Sequence, residues 1–343
     1  MSKDNISIYT IAKEAGVSPS TVSRVMTNST RVSEEKTQKV KEIIEKYDFR
    51  PNALARSLSN TKTKMIGALV GDIRNPFFAA LATECEKAAT KEGYMLLLSN
   101  FNLDGKSDEA DKLFKLYEQR VDAIIQIGGA VDDVVSNPEY VDAINRIAND
   151  IPVIISGKLD GADCCQVNLD EGKSLEVMFD YLVSIGHKEI ALIGGESTAK
   201  STYDKRTRYK QLIARYGLTY REEYIANCSY DINGGYHAMK KFLKEVKKLP
   251  SAIIGINDFA SIGIMQALQE TGYRIPEDIS VCGFDNTIGT EACMPKLTTV
   301  GYDYEDFANK LVMAAIKRIQ GEDVPRLQMV KSELVIKNSC EKI

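Results

Sequence analysis

The chain predicts an α/β fold, a small all-α head followed by a larger domain of two doubly wound parallel-sheet halves, and three observations carry that prediction. Residues 8–28 read as two short amphipathic helices about a tight turn. From Met65 onward eight short apolar runs alternate with amphipathic helical segments, the pattern of parallel sheet with helices on both faces. Charge divides the same way: residues 1–62 hold 11 Lys and Arg against 7 Asp and Glu, a net of +4, and the full 343 residues carry −4, leaving −8 on the remainder. A basic head on an acidic body is the asymmetry of a nucleic-acid-binding module.

Thr10 is the expected cap of the first helix, with Ile11, Ala12 and Ala15 on one face and Gly16 ending it. Val17 plugs the turn, Ser18 caps the second helix, and Pro19 takes its first position, where a missing N–H costs nothing. Val22 and Met26 face inward, which leaves Ser20, Thr21, Ser23 and Arg24 outside. A third helix from Ser33 supplies Val40, Ile43, Ile44 and Tyr47 to close a three-helix core. An ordinary helix pair with a solvated face is the competing reading; the third helix and the basic charge decide for a helix-turn-helix. Its outer face suits base readout in the major groove by Ser20 and Arg24, with apolar contact from Pro19. Tyr9, Thr21, Ser23 and Asn28 suit phosphates. One recognition helix reads one half-site, so a dimer on a near-palindromic operator in double-stranded DNA is expected.

Arg50-Pro51 breaks the helical pattern, and Asn52, able to cap, opens a short segment with apolar Leu54, Ala55 and Leu58. About two turns of helix are marginal alone in water. The strands expected beyond it are Ile66–Val70, Met95–Ser99, Ala123–Ile127, Val153–Ile155, Ile190–Ile193, Ile225–Cys228, Ala252–Ile256 and Ile279–Cys282. Eight strands with a break near Gly161 make two halves. Ligands of open α/β sheets bind beyond the carboxyl ends of strands. The loops there carry Asp72, Asn75, Phe77 and Phe78, then Gly157-Lys158, Asn168-Leu-Asp170, the long stretch from Gly194 to Lys205, Tyr230, Asn257 and Asp285. Amides and carboxylates beside aromatic rings suit polyhydroxylated ligands such as sugars. Each residue singly has a plainer role open to it, since Asn and Asp past a strand often cap the next helix.

Other classes find little support. Seven scattered cysteines lack paired metal spacing and read as reduced thiols, and the two histidines, His187 and His237, fall in no triad or metal pattern, so neither an enzyme, a metal nor a cofactor is expected. There is no Gly-rich phosphate loop. A polar N-terminus and the lack of a long apolar run predict a cytoplasmic protein without membrane contact. A solute-binding receptor without DNA activity would leave the basic head unexplained.

Ala15-Gly-Val-Ser-Pro-Ser-Thr-Val-Ser-Arg24, Arg50-Pro-Asn-Ala-Leu-Ala-Arg-Ser-Leu58, Asn75-Pro-Phe-Phe78 and Gly283-Phe-Asp-Asn286 resemble, in order, the motifs of the lactose-repressor/galactose-repressor (LacI/GalR) family of bacterial transcription regulators. The resemblance implies a headpiece over 1–50 and a hinge helix and linker over 51–64. It further implies a periplasmic-binding-protein-like effector domain whose N-terminal subdomain takes 65–162 with 292–325 and whose C-terminal subdomain takes 163–291 with 326–340. The chain would cross between subdomains near 161–164, 289–292 and 324–327, and Leu327–Ile336 would add a last strand to the second. The hinge would fold in the minor groove, with Asn52, Ala55 and Leu58 at the DNA and Leu58 as the wedge. By position, Phe77, Phe78, Tyr230, Asn257 and Asp285 would line the effector pocket. Two departures stand out: Lys205 replaces the family's effector-clamping arginine, and Gly157-Lys158 replaces an aspartate after the fourth strand. The implied function is an effector-responsive repressor of carbohydrate-metabolism genes, a homodimer with a neutral sugar in the cleft. The crowd of Lys200, Lys205, Arg206 and Arg208 keeps an anionic effector, such as a sugar phosphate, as the alternative.

Overall fold

The computed structural model describes residues 6–27, 32–49, 62–101 and 109–343, divided into two compact units, Met1–Thr63 and Lys64–Ile343. The first unit holds helices α1 (Ile8–Ala15), α2 (Pro19–Thr27) and α3 (Glu34–Lys46). Its first cap is Ser7 and not Thr10. The Ser7 hydroxyl accepts the Thr10 N–H at 3.4 Å while Thr10 Oγ1 accepts the Ser7 N–H at 3.3 Å, so Thr10 is the far end of a reciprocal capping box. Ile8, half-buried against the core, extends the apolar stripe back to that point. Gly16 ends α1 at φ 65°. Ser18 caps α2, its Oγ accepting the Thr21 N–H at 3.2 Å. Ile11, Ala12, Ala15, Val22, Val40 and Ile43 are buried together, with Met26, Ile44 and Tyr47 packed against them. Each buried aliphatic side chain of this kind contributes about 1.5–3 kcal/mol.

The second unit runs through strands β1 (Met65–Val70), β2 (Met95–Asn100), β3 (Ala123–Ile127), β4 (Val153–Ser156), β5 (Cys165–Leu169), β6 (Ile190–Ile193), β7 (Ile225–Ala226), β8 (Ala252–Gly255), β9 (Ser280–Asp285), β10 (Thr298–Tyr302), β11 (Leu327–Val330) and β12 (Ser332–Val335). They form two six-stranded sheets, β11-β5-β4-β3-β1-β2 and β12-β10-β9-β8-β6-β7. All the pairings are parallel except β10 with β12. Helices α4 (Pro76–Lys91), α5 (Glu109–Glu118) and α6 (Pro138–Ala148) cover the first sheet; α7 (Glu171–Ser184), α8 (Lys200–Arg215), α9 (Ile232–Glu245) and α10 (Asp258–Glu270) cover the second. A short α11 (Gly289–Ala292) precedes β10, and α12 (Tyr304–Ile319) returns to pack on the first sheet beside α4. Leu81, Cys85, Phe307 and Leu311 fill one face of the first sheet, and Leu113, Tyr140 and Ile144 the other. Phe179, Tyr209 and Leu212 line one face of the second sheet, opposite Met239, Ile264 and Leu268.

The crossings fall later than the sequence suggested. They lie between β5 and α7, between β10 and α12, and at Lys331 between β11 and β12. Residues 165–169 therefore complete the first sheet, and 298–302 belong to the second. Residues 327–335 split into one strand of each sheet and are not a single strand of the second. The reason is composition: β5 has a single buried residue, Val167, and reads as a loop, while β10, Thr-Thr-Val-Gly-Tyr, lacks an aliphatic run although all five residues are buried. Only hydrogen-bond pairing assigns such segments. No described helix is long and apolar enough to cross a membrane.

Candidate functional site

The head presents the amino end of α2. Ser18 Oγ lies 2.7 Å from Ser20 Oγ and 2.9 Å from Thr21 Oγ1, so three hydroxyls cluster where the first backbone N–H groups of the helix emerge. Ser20 and Arg24 are exposed, one turn apart, while Val22 between them is 0% exposed and anchors the helix from behind. Tyr9 is 71% exposed. Pro19, Thr21 and Ser23 are half-buried. Asn28, Asn52, Ala55 and Leu58 lie outside the described residues. Ser18 itself, read from sequence only as a cap, also holds the orientation of the hydroxyls beside it.

In the second unit the carboxyl ends of both sheets face one cleft. From the first half, the loop after β1 supplies Asp72, whose carboxylate is bound by the Arg74 side chain and accepts the Arg74 N–H at 3.0 Å; those bonds hold its pKa below the usual carboxylate range. Asn75 caps α4, accepting the Phe77 N–H at 3.1 Å. Phe77 meets Phe78 edge-on at 5.3 Å, with Tyr304 at 6.0 Å and Tyr302 at 6.4 Å. Phe78 lies under Gly71 and Gly128, and is floor more than wall.

The second half supplies charge. Lys205 is buried, ion-paired with Glu171 and stacked 4.7 Å from the Phe284 ring centroid. Burial works to lower its pKa, but the pull of Glu171, with Asp285 and Tyr230 behind it, wins and raises it, so the ammonium stays charged. Asp285 sits at φ 105°, a conformation non-glycine residues rarely adopt, and burial together with the Asp258 carboxylate pushes its pKa well up against the opposing effect of Lys205. Asp258 is buried, taking bonds from Thr287 N–H at 2.7 Å and Thr299 Oγ1 at 2.7 Å, and burial lifts it to about 7 despite them. Tyr230 Oη lies 2.8 Å from Thr202 Oγ1. Asn257 spends its side chain on structure: Oδ1 accepts the Ala260 N–H and Nδ2 donates to the Tyr230 carbonyl, both at 2.9 Å. It therefore positions Tyr230.

The expected loop of cations is corrected. Residues 200–208 are the first turns of α8, where Lys200 pairs with Asp204 at 2.5 Å and Arg206 donates to the carbonyls of Gly194 and Gly195 at 2.9 and 3.2 Å. Lys158 pairs with Asp160 at 2.8 Å. Sequence reading missed Asp132 and Glu171. Asp132 ends a short 3-10 turn after β3, and its two oxygens accept the Ser201 N–H at 3.1 Å and the Ser201 hydroxyl at 2.7 Å from the other half. Nothing in either local sequence marks it. Among the described residues, no three His, Cys, Asp or Glu side chains are placed to hold a metal. His187 is buried against Ser251 at 2.9 Å, just before β6 and so at the amino end of its strand, away from the cleft.

Residues 7–52 match the family described as bacterial regulatory proteins, lacI family, and residues 179–340 match the periplasmic binding protein-like domain. Catabolite control protein A of Priestia megaterium is 33% identical over 298 residues, 86% of this chain and 87% of that one. A crystal structure of the lac repressor dimer bound to operator and the anti-inducer ONPF superposes with a TM-score of 0.88 at 23% identity, covering 98% of this chain and 100% of that one. A lacI family regulator from Enterococcus faecium with bound ribose superposes at 0.70 and 24% identity, covering 81% and 99%. Head, two-sheet body and relatedness over 86% of the chain agree: the chain belongs to the lacI family of bacterial regulatory proteins.

Proposed function

We propose that the chain represses carbohydrate-metabolism genes as a homodimer on a near-palindromic operator, with a sugar in the cleft as its effector. The observation that carries the DNA half is the exposed Ser20–Arg24 face beside the Ser18, Ser20 and Thr21 hydroxyls, at a helix terminus whose backbone dipole favours phosphate. Ser20, Arg24 and Pro19 read bases, and Tyr9, Thr21 and Ser23 grip the backbone. The effector half is supported by aromatic Phe77 on the first half and by the carboxylates and the Tyr230 hydroxyl on the second, groups that suit the apolar face and the hydroxyls of a sugar ring. The motive for an anionic effector is weakened, because Lys200 and Lys205 are paired with carboxylates, Arg206 with carbonyls, and Arg208 acts on the Glu176 carboxylate.

Arg24→Ala is expected to cost about 1–3 kcal/mol in specific binding and to relax discrimination at the base it reads. Selection of operator sequences from a random DNA pool, followed by gel shift with the wild type and the variant, tests this. Equal discrimination by the two proteins removes the assignment.

A further inference from the structure

The residue after β4 is Gly157, which offers no side chain at the end of that strand. The structure shows what fills its place. Gly157 stands at φ 147°, and a Cβ added to it would overlap the Val131 carbonyl oxygen. That carbonyl accepts the Lys158 N–H at 2.7 Å, locking the turn after β3 against the turn after β4. Asp132, the next residue, is thereby brought into the cleft. It reaches Ser201 across it, and Glu171, Lys205 and Tyr230 lie within electrostatic reach. An L side chain at 157 and Asp132 in this position are mutually exclusive.

A carboxylate has about four acceptor positions on its two oxygens, and Ser201 takes one on each. The rest can accept ligand hydroxyls or an amine. Around it the cleft holds Asp132 and Glu171 against one buried cation, Lys205, already committed to Glu171, while Asp285, whose pKa burial pushes well up, adds no positive charge. The local balance is short of positive charge, and a phosphate or second carboxylate would add to the deficit.

We propose that Asp132, held in the turn after β3, is the hydroxyl-accepting carboxylate of the effector cleft, and that with Glu171 it selects a neutral or amine-bearing sugar over a sugar phosphate or sugar acid. This rests on the effector reading above and names its ligand class and a specificity-determining residue. Placement after β3 puts Asp132 at the carboxyl end of a central strand, where ligands of open α/β sheets bind.

The test uses the full chain and a panel of glucose, ribose and cellobiose with glucosamine, glucose 6-phosphate, ribose 5-phosphate and gluconate, read by calorimetry at low and high salt. Expected is binding of at least one neutral or amino sugar, with its phosphate or acid counterpart at least about tenfold weaker, as a charge-assisted bond lost to repulsion implies. Asp132→Asn should weaken the bound sugar by about tenfold or more, and Ser201→Ala, which keeps the carboxylate, by less than about threefold. A phosphate or acid that binds as tightly as its parent sugar, an Asp132→Asn protein with wild-type affinity, or a panel with no ligand overturns the proposal. The parent-against-ester comparison needs no variant, so misfolding of Asp132→Asn cannot spare it. Operator binding by the same wild-type sample separates the outcomes: if it is intact, only the ligand assignment falls; if it is absent, the regulator reading falls first.

Discussion

The loop after β1 passes through Asn75 into α4, and the loop after β8 passes through Asn257 into α10; in both, the amide oxygen caps the helix at the mouth of the cleft. There the likeness of the two halves ends. The first half follows its asparagine with Phe77 and Phe78, rings packed on one another and on Tyr302 and Tyr304. The second half builds a chain of ionisable groups, Glu171, Lys205, Asp285 and Asp258, in which Glu171 holds Lys205 charged and Asp258 helps to raise Asp285. One scaffold used twice thus gives an apolar wall and a charged wall. That pairing matches a sugar, whose ring has C–H faces and a hydroxylated rim. It also means that the two walls should fail differently when altered.

The largest effect is expected on the charged wall. Lys205→Met leaves Glu171 mostly buried without its partner, which should cost about 3–5 kcal/mol, and the double change with Glu171→Gln should recover most of it. Denaturant melts of the two variants check this; a single variant as stable as the double would show that the pair is solvated and the contrast between walls false. Gly157→Ala comes next, at about 2–4 kcal/mol, since the new Cβ meets backbone at an unfavourable φ. The same change should release Asp132 from Ser201, visible as lost protection of the Ser201 amide in hydrogen exchange.

On the apolar wall, Phe77→Ala should cost only about 1–2 kcal/mol of stability, because the ring is half-buried and its edge contacts are each worth less than a core position. Its main consequence should be weaker binding of the panel sugar, by calorimetry. A stability loss as large as that of Lys205→Met would make Phe77 core and not wall. The smallest effect is in pH. Burial lifts the Asp132 carboxyl to about 6, helped by Glu171 and opposed by the Ser201 bonds and Lys205. Above that value it is an acceptor, and below it is protonated, so sugar affinity should fall by about fourfold between pH 7.5 and 5.5, and less in Asp132→Asn. Stability runs the other way. Between the ordinary carboxylate value and about 6 the folded carboxyl keeps a proton that the unfolded chain has released, so this contribution is present at low pH and is lost as pH rises through that window.

The sequence by itself was enough for most of what local periodicity and local capping set, although it took Thr10 for the cap that Ser7 supplies. Ile11, Ala12, Ala15 and Val22 repeat at helical spacing and are the residues buried in the head, and Gly16, Ser18 and Pro19 punctuate it where they stand. Apolar runs such as Ile66–Val70 and Ala252–Ile256 are strands because buried parallel strands need no alternation. Tertiary structure alone decided which sheet each marginal strand joins. Val167 as the sole buried residue of β5, or Thr-Thr-Val-Gly-Tyr in β10, carries no signal of its partner, because pairing is a contact between distant segments. It also decided the cleft chemistry. The glutamate that pairs with Lys205 is 34 residues away and the aspartate that holds Ser201 is 69 away, and the sequence specifies such meetings only through the whole packed fold. A side chain's neighbours along the chain fix its secondary structure, but its charge partner is fixed by where two sheets close on one another.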